Sequence, residues 1–152
     1  MAVTIKSSQE IELMRQAGKI LAKVHEGLKK ELKPGMSTLD IDRIGEKMIR
    51  SFGCEPSFKN YQGYPASVCV SINEEVVHGI PRKDRIIEEG DIVSLDTGVI
   101  YKGYQSDAAR TIAIINPSDE RIVNKYPVSP IIVAGFFNLF KYFLIISPSF
   151  YS

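Results

Sequence analysis

This 152-residue chain has only two cysteines, two histidines and a net charge of +1. Cys54 and Cys69 are too few to build a disulfide framework, and they suit a reducing compartment. The near-zero charge gives no field for nucleic acid or for an acidic membrane surface, so neither is expected as a partner. The N-terminus, from Met1 to Lys6, lacks the basic-then-apolar order of a secretory leader, and a cytoplasmic location is expected. The rest of the composition is ordinary. Hydrophobic residues make up 44% and charged residues 24%, which suits one globular domain with a sizeable core.

Periodicity gives the first elements. Ile11, Met14, Ala17, Leu21, Val24, Leu28 and Leu32 recur at three-and-four spacing, which predicts an amphipathic helix over 8–33. The run from Ser7 to Glu10 reads as a capping box, and Pro34-Gly35 as the stop. His25 lies in this helix beside charged residues and is expected to be solvated. A second helix is expected over 38–52, capped by Ser37 or Thr38, with Ile41, Ile44, Met48 and Ile49 as its apolar stripe. An aromatic loop follows over 56–65. Residues 67–72 alternate as a strand, Asn73-Glu74 reads as a turn, and 75–80 reads as a second short strand ending at Pro81.

The stretch 91–111 holds the most informative pair, Asp96 and Asp107. β-Branched runs on either side of Lys102-Gly103 predict a hairpin. The midpoint of the pair, at 101.5, falls inside a turn at Tyr101-Lys102-Gly103, and in a regular hairpin centred there the two carboxylates lie directly opposite each other, with Cβ atoms about 4.5–5.5 Å apart. Like charges facing each other in a sheet repel, so a pair of divalent cations is the natural occupant between them. Two solvated aspartates flanking a turn fit the spacing equally well. His78, after two β-branched residues and before a glycine, sits where a histidine can polarise a substrate carbonyl or simply bond to backbone.

Taken together, the segments 61–69, 73–81, 90–98 and 103–111, with the two leading helices, resemble type I methionine aminopeptidases of peptidase family M24 over about residues 3–120. The resemblance implies an α/β (α+β) pita-bread fold, here two amphipathic helices packed on an antiparallel sheet. It implies metal-dependent removal of the initiator methionine from nascent polypeptides when the second residue is small. The ribosome is one place where enzyme and nascent N-terminus would meet, and the enzyme would be a monomer. Asp96 and Asp107 fall on ligand positions for two divalent ions (Co, Mn, Fe or Zn), with Asp107 bridging both. His78 falls on the catalytic, substrate-binding histidine near the scissile amide. Phe58, Tyr61, Tyr64 and Cys69 match the wall that accepts the methionine side chain, a reasonable surface for a thioether. Gln62 departs from the histidine that many relatives carry.

The C-terminal stretch departs more. After Glu120 there is no aspartate, glutamate or histidine, although the family draws one histidine and two glutamates from its second half. Residues 1–124 read as the N-terminal half of the catalytic domain, and 125–152 as an unrelated apolar tail, as a frameshift would leave. The segment from Ile131 to Ile146 is mostly apolar but holds Asn138 and Lys141, and it falls short of the roughly 18–20 residues that span a bilayer. Impaired or absent activity is therefore expected, with self-association through an exposed core. Two other readings are a non-catalytic remnant acting as a protein-binding module and a tail-anchored membrane protein.

Overall fold

The computed structural model describes residues 5–115. The domain boundary expected at residue 124 and the apolar tail lie outside them. Two helices form one layer, α1 (Ser8–Glu31) and α2 (Thr38–Ser51). Each starts with a reciprocal cap, which the sequence predicts at Ser7 for α1, while for α2 it predicts only an N-cap at Ser37 or Thr38. Glu10 N–H donates to Ser7 Oγ at 3.3 Å while Ser7 N–H donates to the Glu10 carboxylate at 2.7 Å. Ser37 and Asp40 repeat the arrangement at the start of α2. These bonds satisfy amides that have no partner within the helix. Past Pro34 the chain is held by Gly35 N–H to Ile87 O and Ile87 N–H to Met36 O, both 2.8 Å.

The second layer is an antiparallel sheet centred on β3 (Ile92–Tyr101). The short β1 (Glu55–Pro56) and β2 (Val68–Ile72) pair with one edge of β3, and β4 (Tyr104–Ala113) with the other. Side chains alternate across a strand. Val93, Leu95 and Val99 of β3 therefore face the helices, joined by Val68, Val70 and Ile72 of β2 and packed by Ala108 and Ile112 of β4. Ala17, Leu21, Val24 and Leu28 of α1 and Ile41 and Ile49 of α2 close this core from above. No helix among the described residues is long and apolar enough to cross a membrane.

Three expectations are corrected. The hairpin turn is the two-residue Lys102-Gly103, both with positive φ (49° and 83°), the backbone of a type I′ turn. Its centre, at 102.5, lies one residue later than the 101.5 at which Asp96 and Asp107 would face each other, and this moves every cross-strand partner by two. Asp96 is opposite Ala109, and Asp107 is opposite Gly98. The aspartates are thus diagonal neighbours, not facing ones. Residues 75–80 form no strand. Val76, Val77 and Ile80 are exposed there, so their β-branched character has no sheet to satisfy. His25 is not solvated but 1% exposed, because β4 crosses α1 at that turn of the helix.

Candidate active site

The face of the sheet turned away from the helices carries Cys69, Asp96 and Asp107. Cys69 is opposite Asp96, and Gly98, two residues along β3 on the same face, is opposite Asp107. Diagonal positions are about 7–8 Å apart, within reach of longer side chains. Here the two carboxyl groups come close enough for each to influence the other's ionisation. Burial, then the negative charge of Asp107, lifts the Asp96 carboxyl well above the ordinary carboxylate range. Loss of hydration raises Asp107 as well. Two carboxyl groups held this way resist ionising together, and a cation between them would relieve that. The donor set therefore fits a hard divalent ion in type but not in number. Among the described residues no three or more His, Cys, Asp or Glu side chains gather to hold a metal.

The raised pair has a consequence for stability. A carboxyl whose folded pKa is raised binds protons more readily in the native state, so its contribution is largest in acid and is lost as pH rises towards neutrality. Without added metal, Asp107→Asn is expected to make the chain more stable than wild type at pH 8 by about 1 kcal/mol, with no gain at pH 4. Thermal melts at the two pH values read this directly. A variant that melts below wild type at pH 8 would show that the pair is not repulsive.

The residues expected to accept the methionine side chain are brought near the aspartates by contacts distant in sequence. Gly98 leaves room for the loop after β1. A side chain starting at Gly98 would come within 2.9 Å of Ser57 and 3.2 Å of the Phe58 ring, so Phe58 lies over the strand beside Asp107. Tyr64 follows the 3₁₀ turn Tyr61–Gly63, and its hydroxyl donates to Gly79 O at 3.2 Å. That hydroxyl also lies beside the buried Cys69 thiol, which burial pushes up to about 11, leaving it a protonated, apolar surface. The structure thus brings Phe58, Tyr64, Cys69, Asp96 and Asp107 to one region. Tyr61 is 54% exposed at the rim. His78 is also exposed, on the 73–81 loop with φ of 59°, and no hydrogen bond or ion pair of its ring is found among the described residues.

Two supports had no mark in the sequence reading. Asp42 on α2 is buried and accepts from Ser67 N–H at 2.7 Å and Val68 N–H at 2.9 Å, which fixes the entry to the strand that carries Cys69. Burial raises its carboxyl despite these two bonds. The sequence signal was an aspartate next to Ile41 on the apolar side of an amphipathic helix. Gly79 is the other. Its N–H donates to Ser71 Oγ at 3.0 Å and its carbonyl accepts from Val70 N–H at 2.9 Å, which docks the His78 loop on β2.

Comparison with known proteins places this arrangement. A sequence model of metallopeptidase family M24 matches residues 12–126. The methionine aminopeptidase of Clostridium acetobutylicum is 55% identical over 118 residues, which is 78% of this chain and 47% of that protein. The crystal structure of the Thermotoga maritima methionine aminopeptidase superposes with a TM-score of 0.72 at 41% identity, covering 81% of this chain and 49% of that one. That of Rickettsia prowazekii gives 0.73 at 32% identity, covering 79% and 48%. The fold is the pita-bread α/β fold of these enzymes, and the chain spans about half the length of the curated relatives it matches.

Proposed function

The chain belongs to metallopeptidase family M24, and on that premise we propose that it carries the methionine-binding and part of the metal-binding side of a methionine aminopeptidase site. The reaction is removal of the initiator methionine from nascent polypeptides whose second residue is small. The observation that carries this reading is the convergence of Asp96, Asp107, Cys69, Tyr64 and Phe58 on one face of the sheet. Asp96 and Asp107 would hold the cation, of the Co, Mn, Fe or Zn class. When bound, a divalent cation polarises the scissile carbonyl and lowers the pKa of water.

The chain's own residues do the rest. Phe58, Tyr61, Tyr64 and the protonated Cys69 offer a thioether an apolar, polarisable wall that excludes water. His78, on a loop docked by Gly79, would bond to the amide being cleaved. Cation binding through two carboxylates is weak, since hard divalent ions take more oxygen ligands than two. Low turnover is therefore expected of the chain on its own.

The test is twofold. Calorimetry with Mn²⁺ or Co²⁺ should show weak binding that Asp107→Ala abolishes, and equal binding by the variant would remove the basis for the site. Release of methionine from Met-Ala-Ser with either ion should be slow, and robust turnover lost in Asp107→Ala would overturn the expectation of low activity. Absence of both binding and release would favour a non-catalytic, protein-binding role.

A further inference from the structure

His25 has no part in the chemistry above, yet its surroundings are unusual for a packing residue. It lies on the face of α1 turned to β4 and is 1% exposed. Its Nε2 is 2.9 Å from the carbonyl oxygen of Ala108. A carbonyl only accepts, so Nε2 carries the hydrogen and donates. Nδ1 is then a bare acceptor, and it is buried with no hydrogen-bond partner among the described residues. For packing alone this is a poor choice, because a leucine would fill similar space and leave no polar atom unsatisfied.

The position of the bond gives it a purpose. Ala108 follows Asp107, and the two side chains leave β4 on opposite faces. Among the described residues β4 pairs with β3 along one edge only, so its height over the sheet is set by β3 and α1. Three bonds tie α1 to β4. Tyr104 Oη donates to Glu10 at 3.1 Å, His25 to Ala108 O, and Arg110 to Glu26. The Arg110–Glu26 pair is a solvent-exposed ion pair of small worth, and Glu10 at the other end is half exposed at the start of the helix. His25 makes its bond from a side chain that is itself buried, and it acts at the peptide next to Asp107.

We infer that His25 is a positioning residue for Asp107. Its Nε2–H, donated across the helix–sheet interface to the Ala108 carbonyl, sets the position of β4 at which the Asp107 carboxylate meets Asp96. The consequence for metal binding rests on the reading of these aspartates as ligands; the positioning itself rests on the contact alone.

The test uses the full chain with labelled histidine and aspartate, together with His25→Leu and His25→Gln. Glutamine can present an amide donor near the place of Nε2, whereas leucine supplies only volume. Nitrogen resonances of the wild-type ring at neutral pH should show the neutral Nε2–H tautomer, and finding the hydrogen on Nδ1 would overturn the inference without any variant. His25→Leu should unfold cooperatively, yet shift the carboxyl-carbon resonances of Asp96 and Asp107 at fixed pH. It should also weaken Mn²⁺ binding about three- to tenfold, less than the 10–100-fold typical when a group bonded directly to a ligand is lost. His25→Gln should restore both. Wild-type resonances in His25→Leu, or equal displacement in the leucine and glutamine variants, would overturn the inference. If wild type binds no Mn²⁺ while the resonances respond as expected, the proposed function fails and the positioning role stands.

Discussion

Gly79→Ala is expected to cost about 2–4 kcal/mol and to detach the loop that carries His78. A Cβ at this position would stand 2.2 Å from the Val70 carbonyl oxygen, 2.6 Å from its carbon and 2.9 Å from Ser71 Cα. All three are backbone atoms of β2, which is buried along its whole length and paired with β3. No rotamer change can relieve the clash, so the loop must lift. Lifting it breaks the bonds from Val70 N–H and Tyr64 Oη to Gly79 O, and the bond from Gly79 N–H to Ser71 Oγ. Each is worth about 1 kcal/mol net. Gly103→Ala serves as a contrast. Its φ of 83° strains an alanine, but nothing lies within 4 Å, so a cost nearer 1 kcal/mol is expected. Denaturant unfolding of the two variants, with amide exchange at Val70, distinguishes them. Wild-type stability and full protection of Val70 in Gly79→Ala would show that the loop is not held as described.

The second large effect concerns acid. Burial drives the His25 imidazole from 6.5 down to about 4, the Ala108 carbonyl opposes that shift, the Arg110 charge adds to it and Glu26 opposes it. A histidine with a lowered folded pKa takes up its proton mainly in the unfolded state. Its contribution is therefore complete above the unfolded value and is lost as pH falls towards the folded one. Relative to His25→Gln, which has no titrating ring and is expected to leave the aspartate pair in place, the wild-type chain should lose about 3 kcal/mol between pH 6.5 and pH 4, close to the full linkage because the ring is buried. The raised aspartate pair acts in the opposite direction over an overlapping range, so the wild-type curve alone would mask the effect. The difference between the two proteins isolates it, and a difference that stays flat with pH would mean that His25 titrates normally.

Local order was readable wherever it depends on near neighbours. Both capping boxes lie within three residues of chain, and the stripes of α1 and α2 repeat every three or four. Glycine in the Lys102-Gly103 pair announced the hairpin. Its register was not readable, because a turn centred at 101.5 and a turn centred at 102.5 carry nearly the same signal, and the choice moves the partner of Asp96 from Asp107 to Ala109. The loop at 75–80 was misread because β-branching reports a preference for extended backbone and not the presence of a partner strand. His25 was misread because its environment comes from Ala108, 83 residues away.

Residue types in order and at fixed spacing were enough to determine the helices, the hairpin and the chemical character of the site, since those properties belong to short stretches of chain. The tertiary structure alone decided that Asp96 and Asp107 meet on a diagonal, that Cys69, Tyr64 and Phe58 gather beside them, and that a histidine in a charged stretch of α1 is buried beneath them. Each of these depends on how two layers stack, which is a balance of packing and buried hydrogen bonds between segments that are remote along the chain.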